Sequence, residues 1–252
     1  MSTSGGSDIV LVGTNFGPQA GVGDFVAPLV AVYSGGSTGR SLTAASCVVT
    51  VGHTTMTCVS VVGVGFGYRW NVTVALLSSG LSLGSVSSSY AVPTIESLSV
   101  GAGFRLGSMP TVGGVVVTIR GSSLGAVGES AVSATYQAPG AASIVYTASS
   151  CSVVTSHTAM TCVTVSAFGR DMVWRVTVGG QTSSASGDTM THAPATVSTI
   201  RVGSPTTGGS LLTTNGNEPV YLTGTNMGPV GTGGSDVVVV YGSTPYVATG
   251  CV

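Results

Sequence analysis

Charge is what this chain has least of. Only 6% of its 252 residues are Asp, Glu, Lys or Arg, against about 25% in ordinary soluble domains. Seven basic and eight acidic residues leave a net charge of −1. Nucleic-acid binding is excluded on that ground, because neutralising phosphates requires basic clusters. Aromatic residues are also scarce, at 6%. No window approaches the roughly 18 unbroken apolar residues of a membrane-spanning helix, so no membrane insertion is expected. No stretch carries the 3.6-residue apolar period of an amphipathic helix either. The N-terminus, MSTSGGSD, lacks the basic-then-apolar pattern of a secretory signal.

What is present is repetition. Residues 47–74 read CVVTVGHTTMTCVSVVGVGFGYRWNVTV, and residues 151–178 read CSVVTSHTAMTCVTVSAFGRDMVWRVTV. Cys47, His53, Cys58 and Trp70 each recur 104 residues later, as Cys151, His157, Cys162 and Trp174. Self-similarity at this period means an array of like units. A third copy stops early, with Cys251 lying 100 residues after Cys151 and the chain ending one residue later. A second motif recurs three times: DIVLVGTNFG at 8–17, VVVTIRGSSLG at 115–125 and PVYLTGTNMG at 219–228. Each is a β-branched run closed by a Gly-rich turn, and so a strand followed by a tight turn. Gly13, Gly17, Gly121, Gly125, Gly224 and Gly228 are expected to supply positive φ there.

Further strands are expected at 26–35, 132–137, 143–148 and 236–242. CVVTV and TMTCVSV should form a hairpin turning at Gly52–Thr54, with Cys47 facing Cys58. One cysteine pair per unit, in a Ser/Thr/Gly-rich chain, reads as a disulfide made in an oxidising compartment. Cys251 would then have lost its partner to truncation. Closing 11 residues should contribute about 2–3 kcal/mol. In YRWNVTVA (68–75), Trp70, Val72 and Val74 share one face, and Arg69, Asn71 and Thr73 the other. Trp70 and Trp174 are core candidates.

Prolines mark the joints. SSSYAVPTIESLSV (87–100) matches TMTHAPATVSTIRV (189–202), each with one proline before a strand. Pro93 and Pro194 suit the start of a first strand, where a missing N–H costs nothing. Three units follow: 1–92 without its opening strand, 93–193, and 194–252 cut short, joined by linkers short enough for a semi-rigid rod. The missing opening strand suggests that the chain is cut from a longer array and that Met1 is an arbitrary start. About seven short strands per unit, with turn signals every 8–12 residues, give an all-β, immunoglobulin-like sandwich.

The order Pro-x-Ile, Gly-Gly, GTNFG turn, tyrosine-ended strand, Cys…Cys hairpin and Val-x-Val strand resembles the IPT/TIG repeat. It is carried by VPTIESLSV, GTNFG (13–17), GTNMG (224–228) and the two cysteine hairpins; the middle copy has GSSLG instead. The resemblance covers essentially the whole chain. It implies tandem immunoglobulin-like domains of extracellular or cell-surface proteins with no shared catalytic site. The family also occurs in transcription factors, a branch that fits poorly with paired cysteines and no basic loops.

Chemical motifs have plainer readings. Cys-x5-His-x4-Cys offers three ligands where structural zinc takes four. Gly35–Gly39 formally matches the G-x-S-x-G nucleophile elbow, but it sits in a Gly/Ser loop of a β-protein and not at a strand-to-helix turn. Gly63–Gly67 is a loop before a strand, not a dinucleotide fingerprint. The acidic residues show no Asp-x-Asp clustering for calcium. No catalytic site, metal or cofactor is expected. Asn71-Val72-Thr73 is an N-glycosylation sequon on the outward face, and covalent glycans on Asn71 or on hydroxyls would offset the missing charge.

The function expected is non-enzymatic: a structural repeat segment of a large extracellular or cell-surface glycoprotein. It would build a stalk, coat or filament through self-association or contact with other extracellular structural proteins. One alternative is an adhesin or receptor ectodomain that binds a protein or glycan through loops. Another is an accessory module of a secreted enzyme.

Overall fold

A computed structural model describes residues 1–21, 28–140, 144–229 and 237–251. Among them there is no α-helix, and twenty strands form antiparallel sheets. The first repeat carries β1 (Asp8–Val12), β2 (Leu29–Gly35), β3 (Arg40–Thr43), β4 (Ala45–Val51), β5 (Thr55–Val59), β6 (Tyr68–Val74) and β7 (Leu77–Ser78). The second carries β8 (Thr94–Val100), β9 (Val116–Ser122), β10 (Val132–Gln137), β11 (Val145–Thr147), β12 (Ser149–Thr155), β13 (Ala159–Val163), β14 (Met172–Val178), β15 (Gln181–Thr182) and β16 (Thr189–Met190). The third has β17 (Thr196–Val202), β18 (Val220–Thr225), β19 (Val240–Tyr241) and β20 (Tyr246–Val247).

In the first repeat the sheets run β1-β5-β4 and β3-β2-β6-β7. In the second they run β12-β13-β9-β8 and β11-β10-β14-β15, with β16 also on β14. Each pair of sheets shares one core. Met56 and Cys58 from one sheet meet Ala31, Tyr33, Trp70 and Val72 from the other. Ile119, Met160 and Cys162 meet Ala134, Tyr136, Trp174 and Val176 in the same way. Strand alternation produces this: in β6, Tyr68, Trp70 and Val72 are buried while Arg69, Asn71 and Thr73 are only partly so. Tyr33 stacks on Trp70 at 4.5 Å between ring centroids, and Tyr136 on Trp174 at 4.6 Å. Offset stacking of this kind adds about 0.5–1.5 kcal/mol to the burial itself.

The expected strand at 132–137 forms as read, and the one at 68–75 ends one residue earlier, at Val74. Those at 26–35, 143–148 and 236–242 are shorter, being β2, β11 and β19, and residues 26, 27, 143 and 236 lie outside the described residues. Pro93 stands immediately before β8 and Pro194 two residues before β17. Among the described residues, no strand pairs with the edge of β1 as β8 pairs with β9.

One expectation needs correction. Gly17, Gly125 and Gly228 do have positive φ, at 91°, 86° and 91°. Gly13, Gly121 and Gly224 do not. Gly121 and Gly224 are required for space instead. A Cβ at Gly121 would land inside the Thr94 carbonyl oxygen of β8, and one at Gly224 inside that of Thr196 in β17. These two glycines admit a neighbouring strand; they do not turn the chain.

Candidate functional site

The cysteine hairpin and the Gly-rich turn form one interlocked element. Cys47 and Cys58 are bridged, as are Cys151 and Cys162. The pairing depends on a bulge. Between Ala45↔Val59 and Val48↔Thr57 the ladder slips, so Ser46 and Cys47 face the single residue Cys58. Ser46 takes φ 46° to allow it, and Ser150 takes φ 49° in the second repeat. Cys58 and Cys162 are fully buried, so each bridge forms part of the core. Cys251 is unbridged.

The histidines serve the backbone. His53 and His157 sit at the hairpin tips with φ 65° and 66°. The His53 N–H donates to Gly17 O at 2.7 Å, and Phe16 N–H donates to His53 O at 3.1 Å. His157 repeats both bonds with Gly125 and Leu124. The GTNFG-type turn is therefore clamped by the hairpin tip, a partnership that neither motif reveals alone. With both sulfurs in a disulfide, Cys47 and Cys58 cannot join His53 as thiolate ligands. Among the described residues, no group of three His, Cys, Asp or Glu side chains is arranged for a metal.

The other sequence candidates take structural places. Ser37, in the Gly35–Gly39 loop, lies on a short 3-10 turn (Gly36–Thr38) and donates through Oγ to Gly179 O at 2.5 Å. It also accepts from Phe66 N–H at 3.1 Å. Gly65, in the Gly63–Gly67 loop, lies against Gly179, where an added Cβ would meet Gly65 N at 2.6 Å. Asn71 lies on the outward face of β6 and accepts through Oδ1 from Ser78 Oγ at 2.9 Å.

These contacts converge on a junction between the first and second repeats. Its centre is a two-pronged ion pair: Arg40 donates through both terminal nitrogens to Glu129, at 2.7 and 2.8 Å. The Glu129 side chain is 5% exposed and that of Arg40 39%. Burial disfavours ionisation of Glu129. The Arg40 hydrogen bonds, together with the Ala131 and Ser130 backbone amides, outweigh it and hold the carboxyl below its usual range. The same bonds raise the already high pKa of Arg40. Around this pair, His157 Nδ1 meets Thr3 Oγ1 at 3.0 Å, and Gln181 Nε2 donates to Tyr90 O at 3.1 Å. The other ion pair among the described residues, Arg170–Asp171, is exposed and 3.8 Å long. In a chain so poor in charge, a well-formed ion pair has been placed between repeats.

Aromatic hydroxyls also differ between repeats. Trp70 Nε1 donates to Ser88 Oγ at 3.0 Å. Met190 takes the place of Ser88 in the second repeat, and Trp174 Nε1 is buried without a partner. Tyr90 bonds Tyr33 at 2.8 Å and Val61 O at 2.7 Å. Burial and the Tyr33 hydroxyl push its own hydroxyl far above the usual tyrosine range. His192 stands where Tyr90 stood, and burial lowers its pKa. These groups are structural members of the core and of its joints.

No helix among the described residues is long and apolar enough to cross a membrane. The two disulfides are compatible with an extracellular location. No protein-family model matches the chain, and no curated protein matches it.

Proposed function

We propose that the chain is a non-enzymatic structural segment of tandem immunoglobulin-like domains of the IPT/TIG type, at 1–92, 93–193 and 194–252, from an extracellular or cell-surface glycoprotein. The observation that carries the proposal is the junction. A bridged two-sheet unit occurs twice, and the Arg40–Glu129 pair locks one copy to the next. Such a chain resists bending at that joint, as a stalk or filament requires. The candidate nucleophile Ser37 is spent on the same joint. Exposed apolar side chains such as Val12, Leu76, Leu77, Val112 and Leu211, with little charge to repel neighbours, favour association. Sugar on Asn71 or on the many hydroxyls is the solubilising counterpart. Sedimentation of the chain made without sugars is the test. Mass rising with concentration is the expected result. A monomer at every concentration up to the millimolar range would remove the self-associating structural role.

A further inference from the structure

The two repeats differ where the chain leaves them. In the first, Tyr90 holds the exit. Its hydroxyl donates to Val61 O at 2.7 Å and bonds the Tyr33 hydroxyl at 2.8 Å, and its N–H donates to Gly65 O at 2.9 Å. The second repeat puts His192 at this place. The wall of the site dictates the exchange: Ala167 stands where the first repeat has Gly63, and a Cβ at Gly63 would meet the Tyr90 ring at 2.6 Å. A tyrosine ring does not fit against Ala167, whereas the smaller imidazole does. The neighbours change as well. Met172 and Met190, both buried, replace Tyr68 and Ser88, so hydroxyls give way to thioethers around the ring.

His192 is 7% exposed, and its Nδ1 lies 3.3 Å from Gly169 O. A carbonyl only accepts, so Nδ1 carries the proton and Nε2 is the bare nitrogen. Among the described residues, the bond to Gly169 is the ring's one hydrogen bond. Protonation would therefore bury an imidazolium whose second N–H has no protein acceptor. Burial lowers the His192 pKa, and the Gly169 carbonyl offsets only part of that effect. The charged groups on the segments packed around it offer no rescue. Asp171 lies exposed beside Arg170, and Asp188 accepts from Leu98 N–H at 2.8 Å. Arg105 is an exposed cation, and Arg175 donates to Ser183 O. The Tyr136 hydroxyl bonds Val165 through both its N–H and its carbonyl, and burial raises its pKa, so it stays neutral in acid.

His192 lies in the segment that carries the chain into the third repeat. Thr191 N–H donates to Leu106 O at 2.7 Å, Met109 N–H to Thr191 O at 2.9 Å, His192 N–H to Gly169 O at 2.9 Å and Ala193 N–H to Met109 O at 2.7 Å. Pro194 follows at once, and β17 begins at Thr196. The third repeat thus hangs from these hydrogen bonds, with a buried imidazole at their centre. We propose that Thr191–Ala193 is an acid-released latch, docked on the second repeat while His192 is neutral and freed when His192 takes a proton. Release gives the imidazolium water at both nitrogens and lets the chain swing at Pro194. A histidine whose pKa is lowered by folding leaves the latch complete above the unfolded value of about 6.5. The docked state is lost as the pH falls from there through the folded value. Tyr90 stays neutral over this range, so the exit of the first repeat does not respond. The latch does not require that the array self-associates.

Hydrogen exchange of the full, disulfide-bonded chain at about pH 7.5 and about pH 5, corrected for intrinsic rates, tests the proposal. Protection at residues 189–193 and 106–109 should fall severalfold in acid, while β13 and β14 keep theirs. In His192→Gln, which is polar but cannot charge, the acid loss should vanish. Should that variant fail to fold, Ala167→Gly combined with His192→Tyr rebuilds the arrangement of the first repeat and should be equally insensitive. Proton NMR of the wild-type imidazoles gives a reading that needs no variant to fold: His192 should titrate below the usual histidine value. Unchanged protection in acid, an equal loss in a folded variant, or a His192 that titrates at or above the usual value would each overturn the proposal.

Discussion

Replacing Gly121 by alanine is expected to cost the second repeat about 3 kcal/mol, while the same change at Gly13 costs about 1 kcal/mol. At Gly121 the new methyl group meets a backbone oxygen of β8, Thr94 O, with no rotamer to retreat to. Either β9 bends or β8 leaves. If β8 leaves, the pairings from Thr94↔Ser122 to Val100↔Val117 are lost and Leu98 is stripped from the core. At Gly13 the obstacle is the far edge of the Phe16 ring, 2.7 Å from the added carbon. A side chain can swing where a paired strand cannot. Urea denaturation of both variants gives the energies, and hydrogen exchange over residues 94–100 shows whether β8 has detached. Equal costs at the two positions would mean that the glycines serve local conformation and not strand approach.

The second large effect lies at the junction. Arg40→Ala leaves a Glu129 carboxylate that is nearly excluded from water and without its partner. Removing one member of a buried pair is strongly destabilising, whereas exposed pairs contribute little. With Arg40 partly exposed, a loss of about 1–3 kcal/mol is expected in the coupling of the two repeats. The sign of the pH dependence follows from the lowered carboxyl pKa of Glu129. A group depressed on folding stabilises at pH values above its unfolded pKa, about 4.3. That contribution is lost as the pH falls through the folded value. The wild-type junction should therefore hold at neutral pH and loosen in acid below about pH 4. In Arg40→Ala this acid step should shrink. A double-mutant cycle with Glu129→Ala, read by denaturation at pH 7 and pH 3, checks both points. Additive single-mutant costs, with an unchanged acid limb, would show that the pair does not couple the repeats.

Much of this architecture can be read from the chain, because each unit is written at least twice. Alternation at Tyr68–Val74, matched by Met172–Val178, announces half-buried strands. The cysteine pairs, equally spaced, announce their own bridges. What stayed hidden is what the repeats do not share or what only tertiary contact decides. Gly13 and Gly17 look alike in sequence, yet only Gly17 has positive φ. Gly121 and Gly224 answer to the carbonyl oxygen of a strand that begins more than twenty residues earlier, whereas Gly13 meets only the Phe16 ring. Ser46 and Ser150 give no sign that they form the bulge that aligns the cysteines, since serine carries no marked preference for φ > 0. Arg40 and Glu129 are invisible to self-similarity. Ile144 stands at the equivalent place in the second repeat, so one junction has a charged clamp that comparison between copies cannot predict. The short β7, β15 and β16 are two residues each and too brief for any periodicity.

Mass spectrometry of the native, non-reduced protein tests the extracellular structural reading most directly. Peptides linked through Cys47–Cys58 and Cys151–Cys162, with sugar on Asn71 or on serine and threonine hydroxyls, are the expected result. Free thiols at all four cysteines on a sugar-free chain would contradict it and place the protein in a reducing compartment.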